Sequence, residues 1–501
     1  FNYNDKFGDF EAGLMLGHSF QKMSTRTSSI DGRGFPSPVF DTVGTASEIY
    51  NASGGISEFA MESYFGRINL SYLDRYILNV TMRSDGSSRF APSDRYGYFP
   101  SVSLGWNVSK ESFWKFPQTD LKFRLSYGKT GNQDGIGNYA WQPLMSGGIN
   151  YGNNSGMAVT SMGNNKLTWE TADQYDFGFD LGFWNGKLNM IADIYLKNTN
   201  NLLYSMPLHG TSGFTSITSN IGSMRNYGVE FSINGHLNIG KVNWTSSFNI
   251  SHNKNKLTKL LGDDLLPIGS NRALKVGEEL GAFYLFQMDG LYQYDGEVPQ
   301  PLYDLGVRAG DVKYHDADNN GIINDNDRVL TGSSNPDFFG GWNNTFKYKG
   351  FQLDVFFTYM YGNDVYAEWA VTATRPGYRM AITEDVAKNR WTAPGSSDKY
   401  PRAVNTLCGH NSKNSTRFLE DGSFIRLRSL TFSYTFPQVM LQKICLKGLR
   451  LYVQGDNLLL FSKYSGWDPE VSKNMDPQYF GVDLYGVPPS RSVNFGINLS
   501  F

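Results

Sequence analysis

The stretch FQLDVFFTYMY (residues 351–361) places apolar side chains at every second position. Alternation with a period of two is typical of a β-strand whose two faces meet different surroundings. The same pattern recurs in SVNFGINLSF (492–501), KLNMIADIYLK (187–197) and YILNVTMR (76–83). These strands run to about ten residues, longer than the ~5–6 usual in soluble sheets and close to the ~9–11 that a membrane barrel needs. We therefore predict an all-β fold, a transmembrane antiparallel β-barrel, rather than a soluble sandwich.

Composition agrees with a membrane barrel and excludes other classes. Tyr, Phe and Trp make up 15% of the 501 residues, and the 45 basic residues nearly balance the 47 acidic ones. No basic run is present, so we expect no nucleic-acid partner. No run of ~18 apolar residues occurs, which excludes a transmembrane helix. The two cysteines cannot form a disulfide framework; we expect Cys408 in an outer loop and Cys445 in a periplasmic turn, unpaired.

The alternation predicts about fourteen strands joined by short turns and long loops in turn. Short turns are periplasmic in outer-membrane barrels and long loops are extracellular. The segment 109–118 breaks the pattern and is predicted to form a short helical turn. The predicted long loops are 24–58, 133–170, 254–337 and 362–421. The predicted strands are 10–22, 59–72, 73–83, 96–108, 120–131, 171–183, 187–199, 224–236, 241–253, 338–347, 350–361, 422–436, 449–461 and 490–501.

The segment DADNNGIINDND (316–327) follows the ligand order of an EF-hand calcium loop, with Asp in place of the closing Glu. Its flanks carry Gly and Pro and cannot form paired helices, so an ion here would hold a long loop together rather than act as a switch. Ca²⁺ or Mg²⁺ would suit these oxygen ligands. The alternative is a turn held by its own side chain to backbone hydrogen bonds. The predicted ligands are Asp316, Asp318, Asn320, the Ile322 carbonyl, Asn324 and Asp327, with Gly321 at the sharp turn.

Catalytic motifs are missing from the sequence. GKT at 128–130 lacks the upstream Gly of a phosphate-binding loop, and GIGNYA at 135–140 is not followed by an amphipathic helix. The six histidines show no metal-pair spacing, and no nucleophile elbow occurs. We expect no enzymatic activity.

Several stretches resemble one family, the SusC/RagA-like TonB-dependent outer-membrane transporters. They are RLSYGKTGNQDGIGNYAW (124–141), residues 167–204, 310–357 and 456–471, and the terminal Phe501. The resemblance implies a 22-stranded barrel around a plug, of which residues 1–501 would be the C-terminal portion with about the last fourteen strands. The plug, the Ton box and the first eight strands are not in this sequence. We therefore expect a fragment or a processed product, or a plug supplied by another chain.

The resemblance also implies a function and partners. It implies active import of oligomeric nutrients, glycan or peptide, across the outer membrane of a Gram-negative bacterium. A SusD-like surface lipoprotein would act as a lid, TonB–ExbBD would supply force through the plug, and such pairs would form a dimer. Two alternatives remain open: a passive porin closed by this chain alone, and a secreted all-β glycan-binding or enzymatic module.

Overall fold

The computed structural model describes residues 1–152, 154–260, 262, 265–377, 380–404, 409–442, 446–473 and 479–501. Strands hold 57% of the residues and helices 9%. Among the described residues, no helix is long and apolar enough to cross a membrane. The strands are β1 (Asn2–Phe7), β2 (Phe10–Arg33), β3 (Glu48–Tyr72), β4 (Tyr76–Ser87), β5 (Tyr96–Asn107), β6 (Thr119–Asn132), β7 (Leu144–Gly147), β8 (Met157–Ser161), β9 (Glu170–Phe183), β10 (Leu188–Pro207), β11 (Ser216–Ile239), β12 (Val242–Leu260), β13 (Leu265–Ile268), β14 (Arg272–Lys275), β15 (Ala282–Phe286), β16 (Met288–Leu291), β17 (Val312–Tyr314), β18 (Arg328–Ser333), β19 (Phe338–Tyr348), β20 (Phe351–Tyr361), β21 (Asp364–Tyr366), β22 (Leu419–Asp421), β23 (Phe424–Thr435), β24 (Gly448–Ser462) and β25 (Ser492–Ser500).

The helices are short and lie in the connections and turns. The α-helices are α1 (Gln300–Asp304), α2 (Ala370–Ala373), α3 (Glu384–Asn389) and α4 (Gln438–Leu441). The 3₁₀ helices are Val43–Thr45, Val108–Lys110, Gly210–Ser212, Asp295–Glu297, Asp325–Asp327, Gly409–Ser412 and Thr416–Phe418. The predicted helical turn at 109–118 is thus only partly right, because the 3₁₀ helix ends at Lys110. Both cysteines lie outside the described residues.

The largest sheet has fifteen strands in the hydrogen-bonded order β1-β2-β3-β4-β5-β6-β9-β10-β11-β12-β19-β20-β23-β24-β25. All fourteen predicted strands are present in it, which confirms the all-β antiparallel prediction. The count of fourteen is one short, because β1 pairs with β2 from Asn2↔Met15 to Phe7↔Phe10. The sequence of β1, NYNDKF, is polar and all six residues are exposed, so it carries no apolar alternation.

The predicted loop 24–58 is mostly wrong. Strands β2 and β3 pair with each other as far as Arg33↔Glu48, and only residues 34–47 connect them. The pairing of β3 with β4 ends at Met61↔Ser87, so the outer part of the β2–β3 hairpin extends beyond its neighbour β4. Ser, Thr and Gly are the commonest residues in this part, and most of its residues on both faces are exposed. With the same surroundings on each side there is no alternation, and the strand signal disappears.

The apolar faces of the strands are exposed and are not buried in a core. On β25, Phe495 is 82% exposed, Ile497 65% and Leu499 50%. A soluble sandwich would bury these side chains, because an exposed apolar surface of this extent marks a membrane or protein contact. The opposite faces carry polar pairs: Asn79 donates to Ser103 at 3.1 Å, and Thr345 donates to Asp354 at 2.6 Å. The structure therefore supports the membrane barrel over the sandwich.

The chain divides into two compact units. Unit 1 comprises Phe1–Phe113, Phe123–Phe177 and Leu196–Met224; unit 2 comprises Trp114–Lys122, Gly178–Tyr195 and Arg225–Phe501. In unit 1 the connection 133–170 contains the β7–β8 hairpin and contributes Ile136, Leu167 and Trp169 to a small core with Phe90 and Phe99.

In unit 2 the connections 254–337 and 362–421 are folded as well. The first contains a four-stranded sheet (β13-β14-β15-β18) and the β16–β17 pair, and the second contains the β21–β22 pair. Two apolar clusters lie here: one is built around Phe283, Tyr366 and Phe418, joined by Val482 from the connection between β24 and β25, and the other around Phe286, Leu302, Val312 and Tyr314. These connections therefore carry their own cores, which their polar composition did not predict.

Candidate metal-binding loop and its support

The acidic loop 316–327 connects β17 to β18 in unit 2. Gly321 has φ +78° and Asn319 has φ +55°, so the chain turns sharply through two left-handed residues. Gly and Asn are the residue types that adopt this conformation at least strain. The loop ends in the 3₁₀ helix Asp325–Asp327, which Asn324 caps by accepting from the Asn326 N–H at 2.9 Å.

Three carboxylates converge inside the loop. Oxygen atoms of Asp316, Asp318 and Asp327 all lie within 4.8 Å of one another. Asp327 is fully buried, Asp316 is half-buried and Asp318 is exposed. The Gly321 N–H, 2.7 Å from an Asp316 oxygen, lowers the pKa of that carboxyl below its usual value. The loop thus gathers like charges that a cation would neutralise.

Backbone hydrogen bonds hold these carboxylates in place. Asp316 accepts from the N–H groups of Asn320 (3.2 Å) and Gly321 (2.7 Å). Asp327 accepts from those of Ala317 (2.9 Å) and Asn324 (2.7 Å). The alternative to an ion site is a turn held by hydrogen bonds between side chains and backbone. The four bonds above are of that kind. They leave further lone pairs on each carboxylate, because a carboxylate offers about four acceptor positions.

The remaining predicted ligands lie along the same turn. Asn320 donates from Nδ2 to Asp318 at 2.9 Å, and its Oδ1 accepts from the Ile322 N–H at 2.8 Å. Asn324 is engaged as the cap of the 3₁₀ helix. The structure therefore brings the three aspartates together and places Asn320 beside Asp318, while the amide oxygens of Asn320 and Asn324 already accept backbone hydrogen bonds.

One contact that supports the loop comes from a distant part of the chain. Lys413 donates to the Ile323 carbonyl at 3.4 Å and lies 4.7 Å from the centre of the Phe286 ring. Burial lowers the pKa of Lys413. A local contact adds to this one: Arg328 pairs with Asp325, three residues before it, at 3.1 Å. Sequence reasoning missed Lys413, and no local signal could have identified it, because the contact joins residues 90 positions apart.

A buried ion pair anchors the strand that leads into the loop. Asp311, 4% exposed, accepts from Arg402 Nε at 2.9 Å and Nη2 at 3.0 Å. It also accepts from Asn411 Nδ2 at 2.8 Å and from the Arg308 N–H at 2.9 Å. Asn411 in turn accepts from the Val312 N–H at 2.8 Å. This network joins the connections 254–337 and 362–421.

Comparison with known proteins places the chain in a family. Residues 1–458 match the family described as "TonB dependent receptor-like, beta-barrel". TonB-dependent receptor P3 of Formosa agariphila is 33% identical over 523 residues, covering 100% of this chain and 51% of that protein. TonB-dependent receptor SusC of Bacteroides thetaiotaomicron is 31% identical over 470 residues, covering 88% of this chain and 43% of that protein. The chain spans about half the length of the curated relatives it matches.

Solved structures of transporters also match this chain. The RagAB peptide transporter superposes with a TM-score of 0.87 at 25% identity, covering 100% of this chain and 54% of that chain. The RagAB importer in its "closed-closed" state gives a TM-score of 0.86. These relatives are named as receptors and transporters, not as enzymes, which agrees with the prediction of no enzymatic activity. The chain therefore belongs to the TonB-dependent receptor-like β-barrel family, as an outer-membrane protein of the SusC/RagA-like type.

Proposed function

We propose that the chain is the C-terminal barrel portion of a transporter that actively imports oligomeric nutrients across the outer membrane. The main support is the likeness to the RagAB peptide transporter over the whole chain. The alternating faces fit this role, because one face suits lipid and the other suits a wet lumen. Family membership argues against the secreted module, whereas a passive porin has to be separated by experiment.

The long connections are proposed to lie outside the cell and to work with a SusD-like lipoprotein as a lid. Support comes from RagAB, which is described in "open-open" and "closed-closed" states. Each name gives the state of two units, which favours a dimer of transporters in which each transporter has its own lid. The folded cores of the connections in unit 2 would give such a lid an ordered surface to close upon.

Energy is proposed to come from TonB–ExbBD through the plug-containing part of the same transporter. The cargo is proposed to be a peptide or a glycan. RagAB is named as a peptide transporter, which supports the first of these classes.

The experiment is an uptake assay in the native bacterium with and without this gene. Labelled peptide and oligosaccharide pools are followed into cells of the wild type, the deletion strain and a strain lacking TonB. Loss of one pool in both mutants is the expected result and names the cargo class. Uptake that disappears with this gene but persists without TonB would instead establish a passive porin. Mass spectrometry of the detergent-purified complex then identifies the lipoprotein and the plug.

We further propose that loop 316–327 binds Ca²⁺ or Mg²⁺ and that the bound ion holds the loop together. The three converging carboxylates and the EF-hand order of the loop support it. Limited proteolysis of the purified complex, with Ca²⁺, with Mg²⁺ or with chelator, tests it. Slower cleavage within 316–327 in the presence of one ion is expected. Equal cleavage under all three conditions would favour the turn held by its own hydrogen bonds.

A further inference from the structure

The outer part of the β2–β3 hairpin has one edge that no other strand covers. Strand β3 extends to Glu48, but β4 pairs with it only as far as Met61↔Ser87. Within the part of the chain that the structure describes, no further strand lies beside residues 51–57 of β3 in place of β4. We call residues 51–57 the free edge. Its seven residues span roughly 20 Å of extended chain.

Hydrogen bonds next to the free edge show which backbone groups it presents. The Glu58 N–H donates to the Tyr139 hydroxyl at 2.8 Å. The Ala60 carbonyl accepts from the Ser88 N–H at 2.9 Å. These groups point to the side of β4 and away from β2. Because successive residues of a strand direct their N–H and C=O groups to opposite sides, the even-numbered residues of β3 face this side.

Three even-numbered residues lie in the free edge: Ala52, Gly54 and Ile56. All three are exposed, so the edge offers three N–H and three C=O groups to solvent. Soluble proteins protect such edges with Pro, Lys or other charged residues, because an unpaired edge accepts another strand. Residues 49–57 contain no Pro and no charged residue. The edge ends outward at Tyr50, which the β2–β3 pairing skips as a β-bulge.

An extended segment bound at the free edge would act as a third strand of the hairpin. In this part β2 and β3 pair only with each other, from Thr25↔Ser57 to Asp31↔Asn51. A two-stranded hairpin is at best marginally stable in water, and three strands with a common face are more stable. Completing the ladder would therefore be favourable, and the main-chain hydrogen bonds that form do not depend on the side chains of the added strand.

The size and chemistry of the free edge favour a peptide as its occupant. A stable protein interface uses about 20–30 residues on each side, whereas this edge has seven. A permanent lid contact or a second copy of the chain would need a larger surface, but a transient ligand does not. A glycan lacks the evenly spaced N–H and C=O groups that pair with a strand edge. The edge lies at the end of the hairpin opposite the short turn, which is the side where cargo would arrive.

We propose that the free edge binds cargo peptides as an added antiparallel β-strand. This inference rests on the proposed function and narrows its cargo class to peptides in extended conformation. Antiparallel pairing is the more stable arrangement per residue. Recognition through the main chain accepts peptides of many sequences and discriminates against Pro at the positions that face the edge.

The test is fluorescence polarisation with the full-length transporter, purified with its partners in mild detergent. The probe is a pool of fluorescein-labelled heptapeptides made of Ser, Thr, Val and Ile. Gly54→Pro removes the central N–H of the free edge, and an edge strand tolerates Pro where its N–H faces solvent. Gly54→Ala is the matched control, because it keeps this N–H and adds the same Cβ, 3.3 Å from the Thr27 carbonyl oxygen.

We expect the peptide pool to bind about tenfold more weakly to Gly54→Pro, the loss expected for one or two net hydrogen bonds, and unchanged to Gly54→Ala. A fully N-methylated pool, which keeps the side chains and lacks backbone N–H groups, should bind the unsubstituted protein as weakly. If Gly54→Pro does not show the heat-dependent gel shift of a folded barrel, Ala52→Pro and its control Ala52→Ser repeat the comparison at another free N–H.

Equal peptide affinity of the Pro and Ala variants would overturn the site. Loss of the lipoprotein or of a second copy from the Gly54→Pro complex, with peptide affinity unchanged, would assign the edge to a permanent partner and also overturn the proposal. Uptake assays separate this inference from the proposed function. Peptide import that is equal in both variants refutes the edge and leaves the transporter intact. Import of oligosaccharide without any peptide refutes the peptide cargo and the edge together.

Discussion

Replacing Asp311 with alanine removes the acceptor of four hydrogen bonds at one buried point. Arg402 loses both of its bonds, and Asn411 and the Arg308 N–H lose one each. Breaking a buried ion pair by removing one partner costs about 3–5 kcal/mol. The Arg402 side chain is 29% exposed, so water can hydrate part of its charge. We therefore expect about 3 kcal/mol, at the lower end of that range.

The destabilisation should be local to the folded connections of unit 2. Hydrogen exchange of the full-length protein in detergent measures it, because amides of β17 exchange only when this region opens. A loss of about 3 kcal/mol corresponds to roughly a hundredfold faster exchange of Val312–Tyr314. Asp325→Asn is the control: its partner is Arg328, its own side chain is 83% exposed, and exposed pairs contribute about 0–1 kcal/mol.

Two results would refute this reasoning. One is a change in Asp311→Ala no larger than in Asp325→Asn. The other concerns the double variant Asp311→Leu/Arg402→Met, in which no unpaired charge remains. Apolar replacement of both partners is often neutral or stabilising, so most of the protection should return. If the double variant is as unstable as Asp311→Ala, the loss comes from packing and from the lost hydrogen bonds of Asn411 and the Arg308 N–H, and not from an unpaired charge.

Three further predictions concern the same region. Gly321→Val should destabilise the acidic loop by about 1–2 kcal/mol, because φ is +78° at Gly321. Gly44→Val is the control, because a Cβ added at Gly44 meets no atom within 4 Å. Equal hydrogen-exchange rates of the loop amides in the two variants would contradict the prediction. Asp327→Asn should abolish any protection of the loop by Ca²⁺ or Mg²⁺ in limited proteolysis, and ion-dependent protection that survives would exclude Asp327 as a ligand. Burial lowers the pKa of His410 below its usual 6.5, so the unfolded state binds the proton more readily and the stability of this region should fall as the pH drops below about 6.5 and be constant above it; proteolysis across pH 5 to 8 should show this slope in the unsubstituted protein and a flat profile in His410→Gln.

Strands with different surroundings on their two faces could be predicted closely from the sequence. The predicted strand 350–361 is observed as Phe351–Tyr361, and 490–501 as Ser492–Ser500. The alternation that reveals them is local, because each residue reports on the face it occupies. Where both faces meet the same surroundings, as in the outer part of the β2–β3 hairpin, the signal vanishes although the pairing continues.

The acidic loop could be predicted for a similar reason. Asp316, Asp318 and Asp327 lie in one short segment of the chain, and Gly321 allows the turn that brings their carboxylates together. What supports the loop could not be predicted, because Asp311 meets Arg402 across 91 residues and Val312 meets Asn411 across 99.

By itself the sequence determined the strand-forming segments, the acidic order of the loop and the resemblance to the family. The tertiary structure alone decided that the long connections in unit 2 have cores and that a fifteenth strand pairs at the edge. The physical reason is the range of the interactions. Alternation and turn chemistry act over a few residues, whereas burial depends on which distant segments the fold brings into contact.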